Sequence, residues 1–141
     1  MSVKTVMTEN PACCTPNTSL TDVAKLMVEN DCGEIPVVED MQTRKLAGVI
    51  TDRDIATRVV AQGKNSAEAR ASDCMSTPAV SVTADTSLDD CCEVMETNKI
   101  RRVPVVDRDG GVIGIVSLAD VVRSANAQTT ASVVKEVSTD L

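Results

Sequence analysis

Histidine, phenylalanine, tyrosine and tryptophan are all missing from this chain of 141 residues. Without imidazole there is no Ser–His–Asp triad, no Cys–His dyad and no zinc site that depends on a ring nitrogen. Without aromatic rings the core has to be assembled from Val, Ile, Leu, Met, Ala and Cys. A heterocyclic ligand has to be clamped by aliphatic side chains. Long apolar runs are lacking too, and nothing approaches the roughly 20 residues of a membrane-spanning helix. The first apolar stretch is broken by Thr5, Thr8, Glu9 and Asn10, so no secretory leader is expected and the cytoplasm is the default location. There is no Gly-x-x-x-x-Gly-Lys phosphate loop and no cysteine in the setting of an activated nucleophile, so an enzyme is not expected.

What is present has a globular composition, 43% hydrophobic and 25% charged. The formal net charge of -7, from 14 basic and 21 acidic side chains, works against nucleic acid, whose phosphates attract a basic surface. It leaves room for a small anion held by a few local arginines. The cysteines are Cys13, Cys14, Cys32, Cys74, Cys91 and Cys92, with no Cys-x-x-Cys pair among them. They read as small buried apolar residues in a reducing compartment. A redox-sensing disulfide or an adventitious metal site is the functional alternative.

The strongest signal is an internal repeat. Met7 matches Met75, Leu20 matches Leu88 and Pro36-Val37-Val38 matches Pro104-Val105-Val106, each 68 residues apart. After a loop shorter by two residues, Gly48-Val-Ile-Thr51-Asp-Arg-Asp54 meets Gly114-Ile-Val-Ser117-Leu-Ala-Asp120. Each copy reads as an extended piece (12–15; 79–82), then a helix behind a cap at Ser19 or Ser87. Two strands follow (35–39 and 46–51; 103–107 and 112–117), and then a second helix (52–61; 118–125). The fold class is α+β, with two β-α-β-β-α repeats spanning 1–64 and 65–126. Each is about 60 residues, a size at which a domain alone is marginal, so the two should pack together. Residues 62–73 read as a connector. The tail, 127–141, falls outside the repeat and contains a candidate short helix near Val133–Val137.

The Ile/Val-Pro-Val-Val strand and the Gly-h-h-Ser/Thr-x-x-Asp motif that opens the last helix, both duplicated, resemble the CBS domain. The resemblance covers about residues 3–125. The Thr51–Ile55 version is similar to small stand-alone bacterial two-CBS proteins of the hypoxic-response type. It implies a pseudo-twofold pair (a Bateman module), a homodimer, an unidentified protein target, and clefts that take AMP, ADP, ATP or a related adenosyl ligand. No cofactor is implied beyond such a nucleotide, AMP or ATP.

The residues themselves suit that chemistry. Gly48 and Gly114 admit a close backbone approach. Thr51 and Ser117 stand at a strand-to-helix junction, where a hydroxyl can cap the helix or meet a phosphate or ribose oxygen, and unpaired N–H groups there would favour an anion. Asp54 and Asp120 can accept hydrogen bonds from a ribose diol. The same Ser/Thr-x-x-Asp spacing also makes a capping box with no ligand at all. Lys99-Ile100-Arg101-Arg102 supplies phosphate-matching guanidinium groups, whereas the matching Asp31-Cys32-Gly33-Glu34 has none. By resemblance, one cleft combines Ser117 and Asp120 with Thr8, Cys13, Gly33, Arg101 and Arg102. The other combines Thr51 and Asp54 with Ser76, Val80, Ile100 and Arg101. Arg53 and Arg58 could add charge near Asp54, though a solvated helix face is the plainer reading for Arg58. Adenine would lie among aliphatic edges such as Val49, Ile115, Ile35 and Val103. The expected function is a regulatory nucleotide sensor, and the alternative is a ligand-free dimeric scaffold for protein interaction.

Overall fold

A computed structural model describes residues 1–124. The tail at 127–141, with its candidate helix, and the helix end at Ala125 lie outside the described residues. In chain order the elements are β1 (Thr8–Glu9), α1 (Leu20–Asn30), β2 (Glu34–Val38), β3 (Leu46–Thr51), α2 (Asp52–Ile55), α3 (Ala71–Cys74), β4 (Val82–Thr83), α4 (Leu88–Asn98), β5 (Arg102–Val106), β6 (Val112–Ser117) and α5 (Leu118–Ser124). The mixture of helices and two sheets is the α+β class read from the repeat.

Local chemistry repeats as faithfully as the sequence does. Thr15 N–H donates to Thr18 Oγ1 and Thr83 N–H to Thr86 Oγ1, which turns the chain into α1 and α4. Ser19 and Ser87 then cap those helices, accepting from the N–H groups of Asp22 and Asp90. At the far ends Asn30 and Asn98 donate side-chain hydrogen bonds back to the Leu26 and Val94 carbonyls. The next residues, Asp31 (φ 48°) and Lys99 (φ 54°), end both helices in the left-handed conformation.

The chain divides into two compact units, and each takes its opening segment from the other repeat. The first unit is Pro11–Ala79 with Asp109–Val112. Here β2 and β3 pair antiparallel, Cys14 bridges Val37 in parallel fashion and Ser76 bridges Val49. Among the described residues the second unit is Met1–Asn10, Val80–Arg108 and 113–124. Its sheet runs β1-β6-β5-β4, with β1 antiparallel to β6 through Thr8↔Ile115 and β4 parallel to β5 through Val82↔Val105. These pairings are the same two in both units, shifted by the repeat: Thr8 stands where Ser76 stands, and Val82 where Cys14 stands.

Each unit has its own core. Leu20, Val23, Ile35, Val37 and Ile50 are fully buried in the first. Val3, Cys91, Met95, Val103, Val105 and Val116 are fully buried in the second. Burying such side chains contributes about 1.5–3 kcal/mol each. Val3 belongs to the opening segment, so that segment is a core element of the second unit.

Several boundaries differ from the periodicity. The strands expected at 35–39 and 103–107 begin and end one residue earlier, at Glu34–Val38 and Arg102–Val106. The extended pieces shrink to the single bridge at Cys14 and to Val82–Thr83. The helix expected at 52–61 holds α-helical form only to Ile55 and widens into a π turn over Ala56–Val60, where Ala61 N–H bonds to the Ala56 carbonyl. The expected connector 62–73 is not a loose linker. Ala71 is fully buried, and Ala69 and Arg70 join backbone bonds or bridges with Leu20 and Ser19. Its polar composition hid the small residues that pack.

Candidate ligand-binding site

The glycine of each motif is explained by the opening segments. A Cβ on Gly48 would lie 2.9 Å from the Ser76 carbonyl oxygen and 3.0 Å from Met75 Sδ. A Cβ on Gly114 would lie 2.5 Å from Met7 Sδ and 3.2 Å from the Thr8 carbonyl oxygen. The close approach is therefore made by backbone and methionine of the chain itself.

Three residues on, each strand passes into its helix through a reciprocal box. Ser117 Oγ accepts from Asp120 N–H at 3.1 Å, while Asp120 Oδ2 accepts from Ser117 N–H at 3.0 Å. Thr51 and Asp54 make the same pair, at 3.0 Å in both directions. The unpaired N–H groups expected at these helix starts are largely committed. Leu118 N–H bonds to the Arg101 carbonyl and Asp52 N–H to the Gly33 carbonyl. Arg53 N–H bonds to the Asp52 carboxylate. A box that satisfies the helix start leaves little of it for an anion, so an anion there would depend on the arginines.

In the second unit they are placed to do so. An open concavity of about 570 Å³ has a polar side of Ser117, Arg101, Arg102 and Arg123. Its apolar side is Leu118, Ala119 and Val122. Three arginines thus line it, and one of them, Arg123, donates from Nη2 to Oδ1 of the Asp120 carboxylate at 2.5 Å. Sequence reasoning missed Arg123. The available signal was its i,i+3 spacing from Asp120 on a helix face.

The first unit carries the same box with different surroundings. Gly33 and the buried Glu34 hold the positions of Arg101 and Arg102, and Asp52 that of Leu118. Arg58 lies on an exposed helix face, as expected, but it is not a free cation: Nη1 donates to the Cys74 carbonyl at 2.9 Å, and Nε lies 3.8 Å from Asp54 Oδ1.

The candidate residues are distributed as follows. Thr8, Val80, Ile100, Arg101, Arg102, Ile115, Ser117 and Asp120 belong to the second unit; Cys13, Gly33, Val49, Thr51, Arg53, Asp54 and Ser76 belong to the first. Thr8 lies on β1 beside the strand that ends in Ser117, and Ser76 beside the strand that ends in Thr51. Val80 and Ile100 pack against the second unit's core. Cys13 is buried, with its thiol donating to the Pro11 carbonyl and accepting from Arg44. Ile35 and Val103, expected as edges for adenine, are sealed at 0% exposure inside their cores, because every residue of β2 and the middle of β5 is buried. Val49 and Ile115 remain half-buried.

Five of the six thiols are buried and protected, and Cys32 is exposed. Burial pushes Cys14 and Cys91 up to about 12 and raises Cys13, Cys74 and Cys92 as well, although Arg44 partly offsets the rise at Cys13. Among the described residues the six cysteines form no disulfide, and no group of three or more His, Cys, Asp or Glu could hold a metal ion. Among the same residues no helix is long and apolar enough to cross a membrane.

The model of the CBS domain matches residues 3–61 and 71–126. The chain belongs to the CBS-domain family. CBS domain-containing protein YhcV of Bacillus subtilis is 42% identical over 84% of this chain and 81% of its own length. The likeness to the hypoxic-response type also holds: Hypoxic response protein 1 of Mycobacterium tuberculosis is 32% identical over 86% of this chain and 83% of its own. Two solved CBS structures are similar and carry adenosyl ligands. The CBS domain pair of protein MJ0100, in complex with 5′-methylthioadenosine and S-adenosyl-L-methionine, has a TM-score of 0.77 at 30% identity, covering 87% of this chain and 94% of that one. CBSX2 in complex with AMP has a TM-score of 0.73 at 31% identity, covering 91% and 98%.

Proposed function

We propose that this CBS pair is a non-catalytic regulatory module that binds a phosphorylated adenine nucleotide, AMP or ATP, at the β6–α5 junction of its second unit. The observation that carries the reading is the concavity lined by Arg101, Arg102, Arg123 and Ser117, with Arg123 bonded to Asp120. Guanidinium forks suit phosphate oxygens, and a carboxylate at a helix start suits a ribose diol. The adenosyl ligands of MJ0100 and CBSX2 support the nucleoside half. The nucleotide then favours one conformation of a homodimer over another, and a protein partner in the cytoplasm reads the shift.

Calorimetric titration with AMP, ADP and ATP tests this, with Asp120→Ala as the control. Saturable binding is expected in the parent chain and its loss in the variant. Thermal unfolding should register about 2.7 kcal/mol of stabilisation at 100 times the dissociation constant. A second reading, a ligand-free interaction scaffold, is favoured by the boxes themselves: Asp54 and Asp120 already have partners inside their own helices. Flat titrations with every adenosyl ligand would select it.

A further inference from the structure

Both oxygens of the Asp120 carboxylate have a partner before any ligand arrives. Its Oδ2 takes the Ser117 N–H, which is part of the helix start, and its Oδ1 takes Arg123 Nη2. The two partners are not equally easy to displace. The Ser117 bond belongs to the backbone box, whereas the Arg123 side chain is 72% exposed over an aspartate that is only 15% exposed. A ribose diol that approaches Asp120 therefore competes with Arg123 before it competes with Ser117.

Where the guanidinium goes next depends on the ligand. Arg123 lines the same concavity as Arg101 and Arg102. If the incoming nucleoside carries a phosphate, Arg123 exchanges one anion for another. If it carries none, the charge-assisted bond is broken without replacement. The first unit has only a looser counterpart, with Arg58 Nε 3.8 Å from Asp54 Oδ1. The position matching Arg123 is Thr57, whose hydroxyl bonds to the Arg53 carbonyl, and the nearby Arg58 is held on the Cys74 carbonyl.

We propose that Arg123 is a specificity latch: it closes Asp120 in the empty site, and its release onto phosphate makes the second unit select 5′-phosphorylated nucleosides over unphosphorylated ones. This deepens the binding reading above and rests on it. Arg123 is a positioning residue for the empty site and a phosphate ligand in the filled one.

The experiment is calorimetric titration of the parent chain, Arg123→Gln and Arg123→Lys, each with AMP and with adenosine. Removing the guanidinium should weaken AMP and tighten adenosine, each by up to roughly fivefold, the upper range of a largely exposed ion pair. The AMP-to-adenosine preference should therefore collapse by up to about thirtyfold in Arg123→Gln, and Arg123→Lys should fall between. A merely structural role would weaken both ligands together and leave their ratio unchanged. If the parent chain binds AMP and the ratio is the same in both variants, the latch is wrong while the binding reading stands. If the parent chain binds neither ligand, the binding reading falls and the latch with it. Should Arg123→Gln not fold, the ratio in Arg123→Lys decides.

Discussion

Burial holds the Cys14 and Cys91 thiols protonated, moving them from an ordinary value of 9.0 to about 12. Above pH 9.0 the unfolded chain loses these protons while the folded chain keeps them, so stability present below that pH is lost as pH rises toward about 12. The slope is up to about 1.4 kcal/mol per pH unit for each thiol. Urea midpoints measured from neutral pH upward should fall more steeply in the parent chain than in a Cys14→Ala/Cys91→Ala variant. The chain has no tyrosine to titrate in the same window. Parallel slopes in the two proteins would contradict the assignment. Cys32, exposed on the surface, is the thiol a reagent should reach first at neutral pH.

At the scale of elements, the feature to explain is how two short opening segments come to lie on β6 and β3. Each contributes only a few backbone bonds, but each also brings a methionine and a carbonyl against a strand glycine. The two contacts differ in kind. At Gly48 the nearest atom is the Ser76 carbonyl oxygen, fixed by its bridge to Val49. At Gly114 it is Met7 Sδ, the end of a flexible side chain, and the carbonyl is farther away. Gly48→Ala is therefore expected to destabilise by about 1–3 kcal/mol and Gly114→Ala by less, because methionine can turn aside and backbone cannot. Chemical denaturation of the two variants checks the order, and a larger loss at Gly114 would reverse the argument.

For the molecule as a whole, duplication has kept the scaffold and changed the charge. Both units keep the box, the glycine and the paired strands. The second has Arg101, Arg102 and Arg123 where the first has Gly33, Glu34 and Thr57, and Leu118 where the first has Asp52, while the first keeps Arg58 beside Asp54. On the proposed reading phosphate prefers the second box, even though the net charge of the chain is -7. Titration with AMP should give a stoichiometry of one per chain, with affinity falling as salt is added. Two equivalent sites per chain would refute this asymmetry.

The sequence by itself determined what depends on neighbours along the chain. The landmarks 68 residues apart, the capping serines, the bounds of β3 and β6 and the Ser/Thr-x-x-Asp pairs were all legible, because strand alternation and helix capping are local physics. It marked Arg101 and Arg102 by their contrast with Gly33 and Glu34. Tertiary structure decided the rest. Burial sealed Ile35 and Val103 in their cores and drew Ala71 out of an apparent linker. Packing against the opening segments set the role of Gly48 and Gly114. The side-chain geometry of one helical turn put Arg123 on Asp120. None of these follows from residue type or spacing alone, because each depends on which atoms fill the space around a side chain, and that is set only when distant segments meet.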